Sequence, residues 1–216
     1  MDEHLQKVFD RIKQELNHIH YRWKLYRQIF GTSPSRIELI NNTSSNVFLE
    51  LQWLIIDYMV MSLSKLTDRA RIGGNDNLSY HYLIEKVKES GNDELEVELR
   101  VELSELTDAC EKFRDIRNKR VAHNDLVVSL DIDGSPLPGV SRADVEKALV
   151  HARNLMNKVE LHFNDSQTQY EKIILPLTND GRSVLIWLQK GLMYEQLEDE
   201  GVIARGKWRE LSDLDS

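Results

Sequence analysis

The sequence predicts an all-α protein: an up-and-down bundle of four to five helices followed by a C-terminal helical extension. Two observations predict it. Apolar residues recur at three- and four-residue steps over long segments. Four prolines and ten glycines in 216 residues leave those segments largely uninterrupted. The length suits one well-buried domain with a small appendage. A content of 41% hydrophobic and 30% charged residues is that of a soluble globular protein.

Taken in order, Leu5, Val8, Phe9, Ile12, Leu16, Ile19, Trp23, Tyr26 and Phe30 define one amphipathic helix over 2–30. Gly31 ends it, and Ser33-Pro34 starts the next, because proline suits the first helical position. From about 46 to 70 the chain is apolar nearly all round, with Phe48, Leu51, Trp53, Leu54, Tyr58, Met59, Leu63 and Leu66, which predicts the central helix of the bundle. Its Glu50, Gln52, Asp57 and Lys65 argue against a lipid-spanning role, since charge is costly in hydrocarbon. Gly73-Gly74-Asn75-Asp76 is a turn, and 77–90 is a shorter helix stopped by Gly91.

Asp93 with Glu96 opens a long helix to about Ala122 in the manner of a capping box. Asp131, Asp133, Gly134, Pro136, Pro138 and Gly139 make 124–140 a loop, with a candidate hairpin turn at Asp133-Gly134. Ser141 with Asp144 starts a helix that runs through Val145, Leu149, Ala152, Leu155, Met156, Val159 and Phe163. After Asn164 the periodicity weakens, leaving a last helix from Gly181 to about Glu195 and a loosely held tail. The reading divides the chain into a helical domain at 1–165 and an extension at 166–216.

Several function classes drop out. The first residues have neither the basic start nor the apolar run of a signal peptide, so a cytoplasmic protein with no membrane partner is expected. One cysteine, Cys110, allows no internal disulfide and no cysteine metal site. No histidine pair has the helical spacing, with a carboxylate, of a zinc site, and Gly73-Gly74 lacks the lysine of a phosphate loop. Asp131-x-Asp133-Gly134 lacks the remaining ligands of a calcium loop. Neither metal nor cofactor is expected. A net charge of −8 opposes general coating of nucleic acid, so any such contact must use a local basic patch. Trp23, Tyr26, Trp53 and Tyr58 lie at core spacing, whereas Trp187 and Trp208 suit anchoring to a partner.

A local basic patch is present. Along the helix at 93–122, Leu99, Leu103, Leu106, Cys110 and Phe113 step by four, three, four and three, and the next position on that face is Arg117. Arg117 and His123 fall near the edges of the stripe, with Arg120 between them, so a core face turns cationic in its last two turns. Cleaving RNA without a metal needs a base, an acid and positive charge on the phosphate. Histidine suits the proton transfers and arginine the phosphate. Asn118 can hold a phosphate, a ribose hydroxyl or the imidazole. One histidine per segment supplies the acid–base pair poorly, and two copies across a two-fold axis would supply both. A bland alternative stands beside this. Cations at a helix C-terminus are favoured by its dipole, and Arg117 can be a core arginine paired with Asp57 or Asp68.

The stretch Arg114-Asp115-Ile116-Arg117-Asn118-Lys119-Arg120-Val121-Ala122-His123 resembles the signature of HEPN domains, in which an Arg and a polar residue precede a His after a short gap. Within that superfamily the chain is similar to the bacterial abortive-infection U-type proteins, over roughly residues 1–165. The resemblance implies a homodimer with both motifs in one cleft, and metal-independent RNA cleavage leaving a 2′,3′-cyclic phosphate. It also implies a phage-defence or toxin–antitoxin setting, with an antitoxin protein as a partner. Arg117 would hold the scissile phosphate, His123 would transfer protons, Asn118 would orient them, and Arg114, Lys119 and Arg120 would bind RNA. Many HEPN modules are non-catalytic and bind RNA, nucleotide or a protein instead. Asp125 stands where toxins silenced by nucleotidyl modification carry tyrosine, so that control is not implied.

Overall fold

A computed structural model describes residues 1–31, 33–123, 125–130, 139–176 and 178–211. It is all-α: α1 (Glu3–Phe30), α2 (Pro34–Leu66), α3 (Tyr80–Glu89), α4 (Asp93–Ala109), α5 (Glu111–Ile116), α6 (Leu126–Ser129), α7 (Arg142–Asn164) and α8 (Gly181–Asp199). A π-helical turn spans Arg117–Val121 and short 3-10 turns span Tyr170–Lys172 and Lys207–Leu211. The strands among the described residues are β1 (Arg71–Ile72) and β2 (Asn75–Asp76), antiparallel about Gly73 and Gly74. Those glycines have φ of 58° and 84°, the left-handed values that a two-residue hairpin turn demands. The candidate hairpin at Asp133-Gly134 lies outside the described residues.

The chain forms two compact units, one from 1–24 and 53–173, the other from 25–52 and 174–216. Both are discontinuous in sequence, whereas the sequence reading cut the chain once, after residue 165.

In the first unit the apolar stripes of α1, α2, α3, α4 and α7 are buried, among them Phe9, Ile12, Met59, Leu63, Leu83, Leu99, Leu106, Leu149 and Met156. Three- and four-residue spacing puts each set on one helix face, so burial follows directly from the sequence period. Polar pairs tie the rims. Lys13 reaches Glu160 at 2.5 Å, and the Trp23 indole N–H donates to Glu146 at 2.7 Å. Glu102 on α4 meets His151 at 2.8 Å and Lys158 at 3.3 Å on α7. Burial raises the pKa of Glu102, but the hydrogen bonds from His151, Lys158 and Asn154 outweigh it and hold the carboxylate below its ordinary value. α7 starts at the expected Ser141 and Asp144, which form a capping box complete in both directions.

In the second unit Tyr26, Phe30, Ile40, Phe48 and Leu185 are buried, with the Tyr26 and Phe30 rings 5.2 Å apart. Asp180 caps α8 and accepts from Gln28 at 2.8 Å, while Gln28 accepts from the Gly181 N–H at 3.0 Å. A Cβ at Gly181 would lie 2.9 Å from Gln28 Cβ, so glycine is what allows this helix start to approach α1.

Three expectations are corrected. The helix predicted at the centre of the bundle is not enclosed. α2 passes through a non-helical residue at Ser44 (φ −142°, ψ 57°), and Leu49, Trp53 and Leu54 are 51%, 50% and 63% exposed. Met59, Val60, Leu63 and Leu66 carry its burial in the first unit. Among the described residues it is the helix long and apolar enough to cross a membrane, with 28% of its most apolar window buried. The helix predicted over 93–122 is broken at Cys110, after Thr107 and Asp108, both weak helix formers. The capping box expected from Asp93 and Glu96 does not form. Asn92 is the N-cap without a side-chain bond, and the Glu96 carboxylate turns to Arg100.

His20 on α1 is 4% exposed and stacks on Tyr170 with ring centroids 6.0 Å apart. Burial pushes its pKa from 6.5 down to about 4, with the Arg153 charge adding to the shift. The unfolded chain therefore binds this proton near pH 6.5 and the folded chain only near pH 4. His20 contributes its full stability above 6.5 and loses it as pH falls towards 4, at most about 3 kcal/mol. Urea midpoints measured across that window should fall more steeply for the native chain than for His20→Phe. Equal slopes would contradict the assignment.

Candidate active site

The site begins where α4 ends. The Cys110 N–H is shared between the carbonyls of Leu106 at 3.0 Å and Thr107 at 3.1 Å, and α5 restarts one residue later. Phe113 and Ile116 are buried and continue the apolar stripe. Beyond Ile116 the coil widens. The Ala122 N–H donates to the Arg117 carbonyl at 2.8 Å, a five-residue step, and the Asp125 N–H reaches the Lys119 carbonyl at 3.1 Å. A π-helical turn of this kind shifts the side-chain register against the preceding helix. No residue from Arg117 to Val121 is buried.

The three arginines each meet the C-terminal half of α2 or the residues just past it. Arg114 Nη2 donates to the Thr67 carbonyl at 2.8 Å, satisfying an acceptor at the end of that helix. Arg117 Nη1 donates to both oxygens of Asp68, at 2.8 and 2.9 Å, and its Nε donates to Asn118 Oδ1 at 3.1 Å. Arg120 Nη2 donates to Asp57, and the guanidinium lies 5.2 Å from the centre of the Trp53 ring. The bland alternative drawn from the sequence, Arg117 paired with Asp57 or Asp68, is thus realised with Asp68, while Asp57 takes Arg120 instead. The Arg117 and Asp68 side chains keep only 19% and 22% of their exposure.

Asn118, Lys119 and His123 are exposed. Among the described residues, the His123 ring makes no hydrogen bond or ion pair. The structure therefore joins Arg117 to Asn118 directly and leaves the imidazole exposed. Asp125 does not pair with Lys119 or Arg120 among the described residues. Its carboxylate accepts from the Val128 N–H at 3.1 Å and caps α6.

Two neighbours of the motif are not apparent from its sequence. Trp53, expected in the core, is half exposed beside Arg120. His81 is part-buried at the start of α3, and burial, with the charges of Arg114 and Arg100, holds its pKa below the ordinary histidine value. Neither signal is local in sequence. Cys110 is no nucleophile, since burial pushes its thiol up to about 12. Among the described residues no three His, Cys, Asp or Glu side chains converge to hold a metal ion.

An all-α chain with an Arg-Asn pair and a following His at the end of a core helix has the make-up of a HEPN domain. The family model HEPN_AbiU2, described as AbiU2, matches residues 2–183, and the chain belongs to that family. The match contains every motif residue and runs past residue 165 into the first turn of α8. No curated protein and no solved structure matches the chain.

The Arg117–Asp68 pair is intermediate between exposed pairs, which contribute about 0–1 kcal/mol, and buried ones, whose breakage costs about 3–5 kcal/mol. Arg117→Ala should lower stability by about 1–3 kcal/mol. In a denaturation double-mutant cycle with Asp68→Ala, the two losses should be non-additive by about 1 kcal/mol. Additive losses would show that the pair contributes nothing.

Proposed function

We propose that the chain is a metal-independent endoribonuclease of a phage-defence or toxin–antitoxin system, working in the cytoplasm as a homodimer. The observation that carries this is the state of Arg117. Its Nη1 and Nε are fixed by Asp68 and Asn118, while its Nη2 has no partner among the described residues and lies on the same segment as an open His123. A guanidinium held in that way presents a remaining N–H pair to a phosphate without losing rotamer freedom on binding.

The chemistry follows from those groups. Arg117 donates to a non-bridging oxygen and offsets charge as the phosphorus becomes five-coordinate. His123 accepts the 2′-hydroxyl proton as that oxygen bonds to phosphorus. The bond from phosphorus to the 5′-oxygen breaks, and the partner's His123, protonated, returns a proton to the leaving oxygen. The products are a 2′,3′-cyclic phosphate and a 5′-hydroxyl, and no metal enters the balance. One open histidine per motif is the reason for a second copy. Leu126 of α6 and Leu130 just after it, 67% and 64% exposed just beyond the motif, offer apolar surface for it.

A second reading, a non-catalytic module that binds RNA, nucleotide or a protein antitoxin, has its own support. Asp68 and Asp57 neutralise two of the motif's three arginines. Incubation of labelled RNA with the purified chain in excess chelator separates the two. The nuclease reading expects cleavage, lost by at least about a hundredfold in His123→Ala and Arg117→Ala. Binding that weakens with salt and yields no products would support the module instead.

A further inference from the structure

We infer that Trp53 is a stacking platform for one unpaired base of the strand that Arg117 holds, a few nucleotides from the scissile phosphate. This rests on the nuclease reading of Arg117 and His123. An isolated surface tryptophan would call for no explanation. Trp53 is not isolated. Half of its surface is in water, and the Arg120 guanidinium stands 5.2 Å from its ring centre. Arg120 is in turn held by Asp57, one helical turn after Trp53 on α2.

Arg117 is held by Asp68 just past the end of α2, and Trp53 lies about 20 Å back along that helix, so a base on the ring belongs to the same strand a few nucleotides from the phosphate that Arg117 faces. Lys119, between Arg117 and Arg120, is exposed. Cations that follow a backbone beside a half-exposed aromatic ring are the two components of single-strand recognition, and the aromatic accepts any base because every base has a π-face. Bases inside a duplex have both faces covered by their neighbours, so only unpaired nucleotides can use such a platform. The exposed Lys119, together with the Arg117 Nη2 that has no partner among the described residues, favours a polyanion over an apolar protein surface as the occupant.

The test is binding of the full-length chain to a labelled single strand of about a dozen 2′-O-methyl nucleotides, which cannot form a cyclic phosphate. Trp53→Ala should weaken binding about tenfold and Trp53→Phe by less than about threefold. Abasic positions in the oligonucleotide should weaken the native chain as much as Trp53→Ala does, and should add no loss in that variant. Native-like binding by Trp53→Ala, or equal affinity for abasic and intact strands, would overturn the platform. So would a change of sedimentation in Trp53→Ala, which would make the residue a protein interface. If Trp53→Ala misfolds, the Phe variant and the abasic strands still decide. Arg117→Ala distinguishes the underlying reading. Weakened binding there with no effect at Trp53 removes the platform alone, whereas no native binding, or no effect of Arg117→Ala, removes both.

Discussion

Two carboxylates, Asp57 on α2 and Asp68 just beyond its end, fix where the motif's guanidinium groups can lie. Without them, three arginines within seven residues would repel one another and spread into solvent. With them, Arg117 is held by two oxygens of one carboxylate, Arg120 by one, and Arg114 by the adjacent Thr67 carbonyl. The cationic face is therefore docked on α2. The π-helical turn works with this. It carries Arg117–Val121 out of the buried stripe that ends at Ile116, so that Asn118, Lys119 and His123 reach solvent while Arg117 and Arg120 stay against their acids.

On the proposed function, the same arrangement is how an acidic chain would present a phosphate site. Its net charge of −8 provides no long-range pull on a polyanion. Paired arginines add little net charge, so local affinity has to come from geometry: one oriented N–H pair on Arg117, one free lysine and one aromatic face. A site of this kind makes few phosphate contacts. It contrasts with proteins that coat nucleic acid through many cations and lose affinity steeply with salt.

Much of this was legible in the sequence, and the reasons are physical. Core stripes follow from a 3.6-residue period, so α1, α3 and α7 lie where Leu5 to Phe30, Tyr80 to Val87 and Val145 to Val159 place them. The helix start at Ser141 with Asp144 and the Gly31 stop are short-range signals and are realised as read. Asp57 and Asp68 are both legible as alternative partners for Arg117; Asp68 takes it, and the pairing of Asp57 with Arg120 has no signal in the sequence. What the period cannot reveal is which apolar residues find a partner. Trp53 and Leu54 have the composition of a core helix, yet tertiary packing leaves them outside. The break at Cys110 and the widened turn after Ile116 are one-residue changes of register that a 3.6-residue average smooths over. The match of Asp68 to Arg117, and not to Arg120, is decided only when α2 and α5 dock.

With one open histidine per motif, the account needs a second copy of the chain to complete the acid–base pair. The most direct test mixes native chain with increasing proportions of His123→Ala chain, re-equilibrated so that protomers exchange, and follows RNA cleavage at constant total protein. If both histidines of a dimer serve one cleft, activity falls as the square of the native fraction. A linear fall would contradict the account, because each chain would then cleave with its own residues alone.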